Sequence, residues 1–200
     1  MSDLVRVAVD AMGGDYAPAE PVKGAVEAVN ADERVKVQLV GQVDVIEKEL
    51  QKYTYPKERV EIVPATEIIE TGEPPVNAIR HKKDSSIVVG MKKVRYGEAD
   101  AFVSSGSTGA VLVGGQTIVG RIKGVERPPL APLIPTKDGV SLLIDCGANV
   151  DARPSHLVQF AMMGSVYMEH GGEEKSVLIG CYNQSLLFSL KILQALFPAI

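Results

Sequence analysis

From Ser104 to Gly109 the chain reads Ser-Ser-Gly-Ser-Thr-Gly, a stretch too small and too polar to be core. Ala101, Phe102 and Val103 before it read as the end of a buried strand, and Ala110 to Val113 after it as the first turns of a helix. A loop entering a helix presents backbone N–H groups that lack intrahelical partners, together with the positive end of the helix dipole. The hydroxyls of Ser104, Ser105, Ser107 and Thr108 add further donors, so the stretch suits an anion, with phosphate the natural guest. The competing explanation is local: Ser and Gly cap the helix and turn the chain. A second turn of the same kind, Ala11 to Asp15, carries Gly13 and Gly14 directly after an apolar run that stops at Asp10. Gly13, Gly14 and the six residues Ser104, Ser105, Gly106, Ser107, Thr108 and Gly109 are therefore the predicted anion-binding set.

Charge points to a second feature. Arg80, His81, Lys82 and Lys83 are consecutive, and Lys92, Lys93 and Arg95 continue the positive side in a chain of net charge -4 and pI ≈ 5.5. An acidic chain argues against nucleic acid as the main partner. The basic cluster reads as an attraction site for an anionic partner or as a solvated helix face. Lys82 and Lys83 carry charge that could neutralise phosphate or an oxyanion, and His81 could supply or accept a proton. A solvent-exposed Lys83 paired with Asp84 is the equally simple alternative. Asn149 is a neutral donor suited to a carbonyl or phosphate oxygen. Asp10, Asp15 and Asp145 would repel phosphate, so they read as groups that orient lysines or loop amides. Neither Ser105 nor Ser107 lies in a Gly-x-Ser-x-Gly elbow, and both read as binding hydroxyls and not covalent nucleophiles. Cys146 and Cys181 form no metal-ligand spacing and no disulfide framework, so neither a metal nor a cofactor is expected.

These groups need a scaffold. The 200 residues, 46% of them hydrophobic, can bury one good core. Val5, Val7 and Val9 form a short β-branched run, Val22 to Asn30 a helical pattern, Val35 to Val40 a second strand and Val43 to Tyr53 an amphipathic helix. Arg59 to Val63 is a third strand. Pro64 to Pro75 reads as a connection, followed by a helix from near Val76 and another through Ile87, Val88, Met91 and Val94, capped by Asp84, Ser85 and Ser86. Val125 to Pro135 is too rich in proline for helix or central strand and is expected to be a connection. Val140 to Ile144 reads as another buried strand, delivering Asp145 to the edge that Asp10 occupies. Pro154 opens a helix through Val166. Strands alternating with helices predict a mostly parallel sheet covered on both faces, with ligands at the strands' carboxyl ends. The first residues enter a strand without the basic and apolar regions of an export signal, so a cytoplasmic location is expected.

Taken in order, DAMGGD from Asp10, RHKKDSS from Arg80, SSGSTGA from Ser104, RPPLAPLIPT from Arg127 and DCGAN from Asp145 resemble the bacterial phosphate acyltransferases of the PlsX type. The resemblance covers Val5 to about Glu169, including MGSVYME from Met163. It implies an α/β/α three-layer sandwich like that of phosphotransacetylases and isopropylmalate dehydrogenases, and a homodimer. It also implies transfer of a fatty acyl group from acyl carrier protein to inorganic phosphate, giving acyl phosphate for phospholipid synthesis. His81, Lys83, Ser107 and Asn149 are then the expected catalytic residues, and Lys82, Lys92, Lys93 and Arg95 the carrier-protein docking residues. A membrane glycerol-3-phosphate acyltransferase would be the downstream partner, which leaves room for peripheral membrane association.

Beyond Glu169 the resemblance fades. HGGEEKS from His170 faintly echoes a family segment, and the apolar residues 177–200 match nothing in the pattern. The expected organisation is therefore a family-like α/β part at 1–169 and a divergent tail at 170–200, with truncation or a frame shift after Glu169. Two other functions stand beside the acyltransferase: a fragment that binds phosphate or carrier protein without turnover, and a nucleotide-dependent dehydrogenase. The last lacks a Gly-x-Gly-x-x-Gly turn after Val9.

Overall fold

A computed structural model describes residues 4–137, 139–146 and 152–170, which fall into two compact units divided after Ile122. The first unit runs β1 (Val5–Asp10), α1 (Ala19–Ala31), β2 (Val35–Gly41), α2 (Val43–Leu50), β3 (Val60–Pro64), α3 (Pro75–His81), α4 (Ser86–Arg95), β4 (Ala101–Val103) and α5 (Thr108–Gly114). A single π turn, Gly115–Val119, continues α5. The four strands are parallel in the order β3-β2-β1-β4.

Register explains why the strands read as nearly continuous apolar runs. Val9 lies beside Leu39, and Val37 beside Val60; this face packs with Val22, Val26 and Val29 of α1 and Ile46 of α2. On the opposite face Ala8 and Val40 pack with Val63, Ala99 and Phe102, and Val89 and Val94 of α4 close over them. A sheet covered on both sides takes apolar residues on both faces of its strands, as Val9 and Leu39 on one and Ala8 and Val40 on the other show. The sheet and its two helical layers make the α/β/α arrangement.

The connection from β1 leads to β2 on one side, whereas β4 joins β1 on the other, so the order reverses between β1 and β4. Open parallel sheets bind ligands in the crevice at such a reversal, beyond the strands' carboxyl ends. The start of β4 is pinned to β1 by the Asp100 N–H, which donates to the Arg6 carbonyl at 2.7 Å. The Arg6 guanidinium pairs with the Asp100 carboxylate at 2.8 Å.

The second unit corrects two expectations. Val140 does not continue the parallel sheet: β6 (Gly139–Leu142) pairs antiparallel with β5 (Leu133–Thr136), in a two-stranded sheet that places Val140 opposite Pro135. Nor is it buried, since both strands lie exposed or nearly so. The proline-rich connection accordingly ends as a strand. Both strands of a two-stranded sheet are edges, where a proline lacking its N–H is tolerated. Asp145 follows this hairpin, and its Oδ1 accepts the Leu130 N–H at 2.7 Å. Helix α6 (Pro154–His170) begins with His156 reaching back: its Nδ1 accepts the Arg153 N–H at 3.1 Å, and its Nε2 lies 3.1 Å from the Glu126 carboxylate. This has the logic of a capping box, with histidine in the place of glutamate. No helix among the described residues is long and apolar enough to cross a membrane.

Candidate functional site

Because Val9 and Val103 are register partners, Asp10 and Ser104 leave the sheet side by side at its carboxyl edge. Asp10 is only 1% exposed. Its Oδ1 accepts the Met12 N–H at 3.1 Å, and its Oδ2 accepts the Ser104 hydroxyl at 2.7 Å. The Ser104 oxygen in turn accepts the Gly106 N–H at 3.0 Å, and the Ser105 hydroxyl donates to the Gly13 carbonyl at 2.9 Å. Two turns distant in sequence are thus stitched together.

Glycine is required where they meet. A Cβ on Gly13 would overlap the Asp10 carboxylate and lie 2.9 Å from the Gly106 nitrogen. Gly14 has φ +102°, a conformation glycine adopts without strain, and a Cβ there would lie 2.9 Å from the Ser105 hydroxyl. Ser107 is buried and caps α5, its hydroxyl oxygen accepting the Ala110 N–H at 3.3 Å. Gly109 lies against Pro75, whose Cγ a Cβ would approach to 2.5 Å. Among the described residues, no hydrogen bond engages the N–H groups of Gly13, Gly14, Ser107, Thr108 or Gly109. Thr108 and Ser105 are exposed beside them. The structure therefore brings together the whole predicted anion-binding set, and divides it into hydroxyls that brace the turns and amides that remain available.

The basic cluster is more engaged than the sequence suggests. Lys82 Nζ donates to the Ile68 carbonyl at 2.6 Å and pairs with Glu73, holding the Glu73 carboxyl below its usual value. Lys83 Nζ donates to the Ile79 carbonyl at 3.1 Å and does not pair with Asp84. Asp84 instead accepts the Thr66 hydroxyl at 2.6 Å and the Thr66 N–H at 2.9 Å, which lowers its pKa. Lys93 pairs with Glu98 at 2.6 Å, Lys92 reaches the Lys83 carbonyl at 3.3 Å, and Arg95 reaches the Val119 carbonyl at 3.2 Å. His81 is exposed, with Nδ1 2.9 Å from the Asn77 carbonyl oxygen. Asp15 is exposed on the first turn. Asp145 belongs to the second unit. Asn149 lies outside the described residues, as does the tail from 171 onward. Sequence reasoning missed Pro75, Thr66 and Glu73; the only local signal was the polar Pro64 to Pro75 connection that carries them.

A family model of fatty acid synthesis proteins matches residues 5–184, a span running past Glu169. The phosphate acyltransferase of Clostridium kluyveri is 48% identical over 177 residues, covering 88% of this chain and 53% of that protein. The phosphate acyltransferase of Alkaliphilus oremlandii is 51% identical over 166 residues, covering 82% of this chain and 49% of that protein. The chain spans about half the length of these curated relatives. Among solved structures, a phosphotransacetylase from Streptococcus pyogenes aligns with a TM-score of 0.68 at 15% identity, over 98% of this chain and 66% of that one. The EutD phosphotransacetylase of Staphylococcus aureus gives 0.64 at 14%, over 98% and 65%. At such identities the likeness concerns the fold, and it agrees with the three-layer arrangement described above. With the family match spanning residues 5–184 and phosphate acyltransferases among its relatives, the chain belongs to the phosphate acyltransferase family of fatty acid synthesis proteins.

Proposed function

We propose that the protein moves a fatty acyl group from an acyl carrier protein thioester to inorganic phosphate. The observation that carries this is the pair of stitched turns at the sheet's reversal point, whose Ser107, Thr108 and Gly109 amides have no partner among the described residues. Phosphate held there is oriented and partly stripped of water, which is most of what a bimolecular acyl transfer requires. One phosphate oxygen attacks the thioester carbonyl, the C–S bond breaks, and the carrier thiolate leaves with a proton. Acyl phosphate is the product, and no enzyme nucleophile is needed. Lys83 and His81 are the groups proposed to balance charge and protons, and Asn149 to support the developing oxyanion. Carrier protein, itself acidic, is proposed to dock on the surface bearing Lys92, Lys93 and Arg95, whereas Lys82 is held by Glu73 and the Ile68 carbonyl. Dimerisation, and hand-over of acyl phosphate to a membrane glycerol-3-phosphate acyltransferase, belong to the same proposal.

The test is to mix the protein with acyl carrier protein thioester and phosphate, and to trap acyl phosphate with hydroxylamine. Phosphate-dependent hydroxamate supports the proposal. Phosphate or carrier binding without hydroxamate would instead show a binding protein.

A further inference from the structure

We infer that Asp10 is the positioning residue of the phosphate site, acting through Ser104, and that the Ser104 hydroxyl braces the loop and does not bind the anion. The inference rests on the phosphate reading above. Asp10 is 1% exposed, and the hydrogen bonds to its carboxylate come from the Met12 N–H and the Ser104 hydroxyl, both uncharged. An apolar side chain would fill the same place but leave the Met12 N–H and the Ser104 hydroxyl without their acceptor, so the carboxyl group organises both turns.

Hydrogen-bond polarity supplies the reason. The Ser104 hydroxyl has one proton, and it lies toward the Asp10 Oδ2, 2.7 Å away. That turns a lone pair of the Ser104 oxygen toward the Gly106 N–H, 3.0 Å away. The relay runs one way, from Gly106 through Ser104 to Asp10, and neither the Gly106 amide nor the Ser104 proton is left for an anion. The N–H groups of Ser107, Thr108 and Gly109 stay available at the start of α5, with the exposed Thr108 hydroxyl among them and the Gly13 and Gly14 N–H groups on the facing turn. A Cβ on Gly13 would overlap the Asp10 Oδ2 and one on Gly106 would approach it to 3.3 Å, so both turns pass close to the same carboxylate. An asparagine at position 10 that keeps its oxygen on the Met12 N–H presents N–H₂ to Ser104, so the serine can no longer donate there and its proton leaves the relay, with almost no change of shape.

The experiment is calorimetric titration of the 200-residue chain with inorganic phosphate, for the unaltered protein and for D10N, S104A, S104T, T108V and the D10N/S104A pair. Each is measured below its unfolding transition. D10N and S104A should each weaken phosphate binding about tenfold or more, the factor set by a hydrogen bond to a charged group. The pair should be no weaker than either alone, because both remove one relay. S104T keeps the hydroxyl and should keep the affinity, a rescue that a packing role for Ser104 does not predict. T108V should weaken binding independently. Should D10N fail to fold, S104A and S104T decide the matter. Unchanged affinity in S104A with a loss in T108V overturns the role of Asp10 and leaves the phosphate reading standing. No phosphate affinity in the unaltered chain overturns both.

Discussion

The Ser105 hydroxyl donates to the Gly13 carbonyl at 2.9 Å, across 92 residues of sequence. This bond fixes the loop after β4 to the turn after β1, and it works only because Gly13 lacks a side chain at the point of contact. A binding site made of backbone amides depends on such bonds more than on any one polar side chain, since amides are aimed by the path of the chain.

Substituting Gly13 therefore tests the stitching. G13A places a methyl group on the Asp10 carboxylate and the Gly106 nitrogen; overpacking of this kind costs about 1–3 kcal/mol. The unfolding midpoint in urea should fall, and phosphate affinity with it. Gly24, inside α1, has nothing within 4 Å of where a Cβ would stand. G24A should raise stability by roughly 0.5–1 kcal/mol and leave phosphate binding unchanged.

The basic cluster should divide by role. Lys82 is held by Glu73 and the Ile68 carbonyl, so K82Q should lower the thermal midpoint without a matching change in the salt dependence of carrier binding. The double variant K92E/K93E should slow association with acyl carrier protein, by about tenfold at low ionic strength, with the difference shrinking as salt is added. Stopped-flow rates across a salt series distinguish the two behaviours.

Acid should destabilise the first unit. The Arg34 guanidinium and N–H hold Asp32 down from 3.8 to about 2, and hydrogen bonds from Arg6 and the Thr66 hydroxyl lower Asp100 and Asp84. Each carboxyl binds its proton less readily folded than unfolded. Their contribution is therefore complete above the unfolded value near 4 and is lost as pH falls through the folded values, about 2 for Asp32. Urea midpoints should drop between pH 5 and pH 2. D100N should start lower at pH 7 and drop less. Parallel curves for D100N and the unaltered chain would show that Asp100 carries none of the effect.

Much of this architecture is legible in the residue order. Val5, Val7 and Val9, and Val35 to Val40, are apolar at successive or alternate positions because helices cover both faces of the sheet. The glycine turn after Asp10 and the Ser104 to Gly109 loop stand out by composition. Their meeting does not, because it depends on β4 pairing with β1 and not with β3. Val140 misleads for a related reason: an apolar run looks the same whether its strand is central or in a small hairpin, and only the pairing with Pro135 separates them. The lysines were legible as charge, yet the partners of Lys82 and Lys83 come from a connection and a helix end that the sequence does not place. Likewise, hydroxyl-rich composition cannot tell a bracing serine from a binding one; that required the direction of the Ser104 bond.

The most direct measurement is anion density in crystals of this chain soaked with phosphate, with sulfate as a second probe. An ordered anion should appear between the Gly13 to Asp15 turn and the Ser104 to Gly109 loop, on the amides of Ser107, Thr108 and Gly109. Anions ordered only elsewhere, such as along Arg80 to Lys83, with both turns intact and empty, would contradict the account.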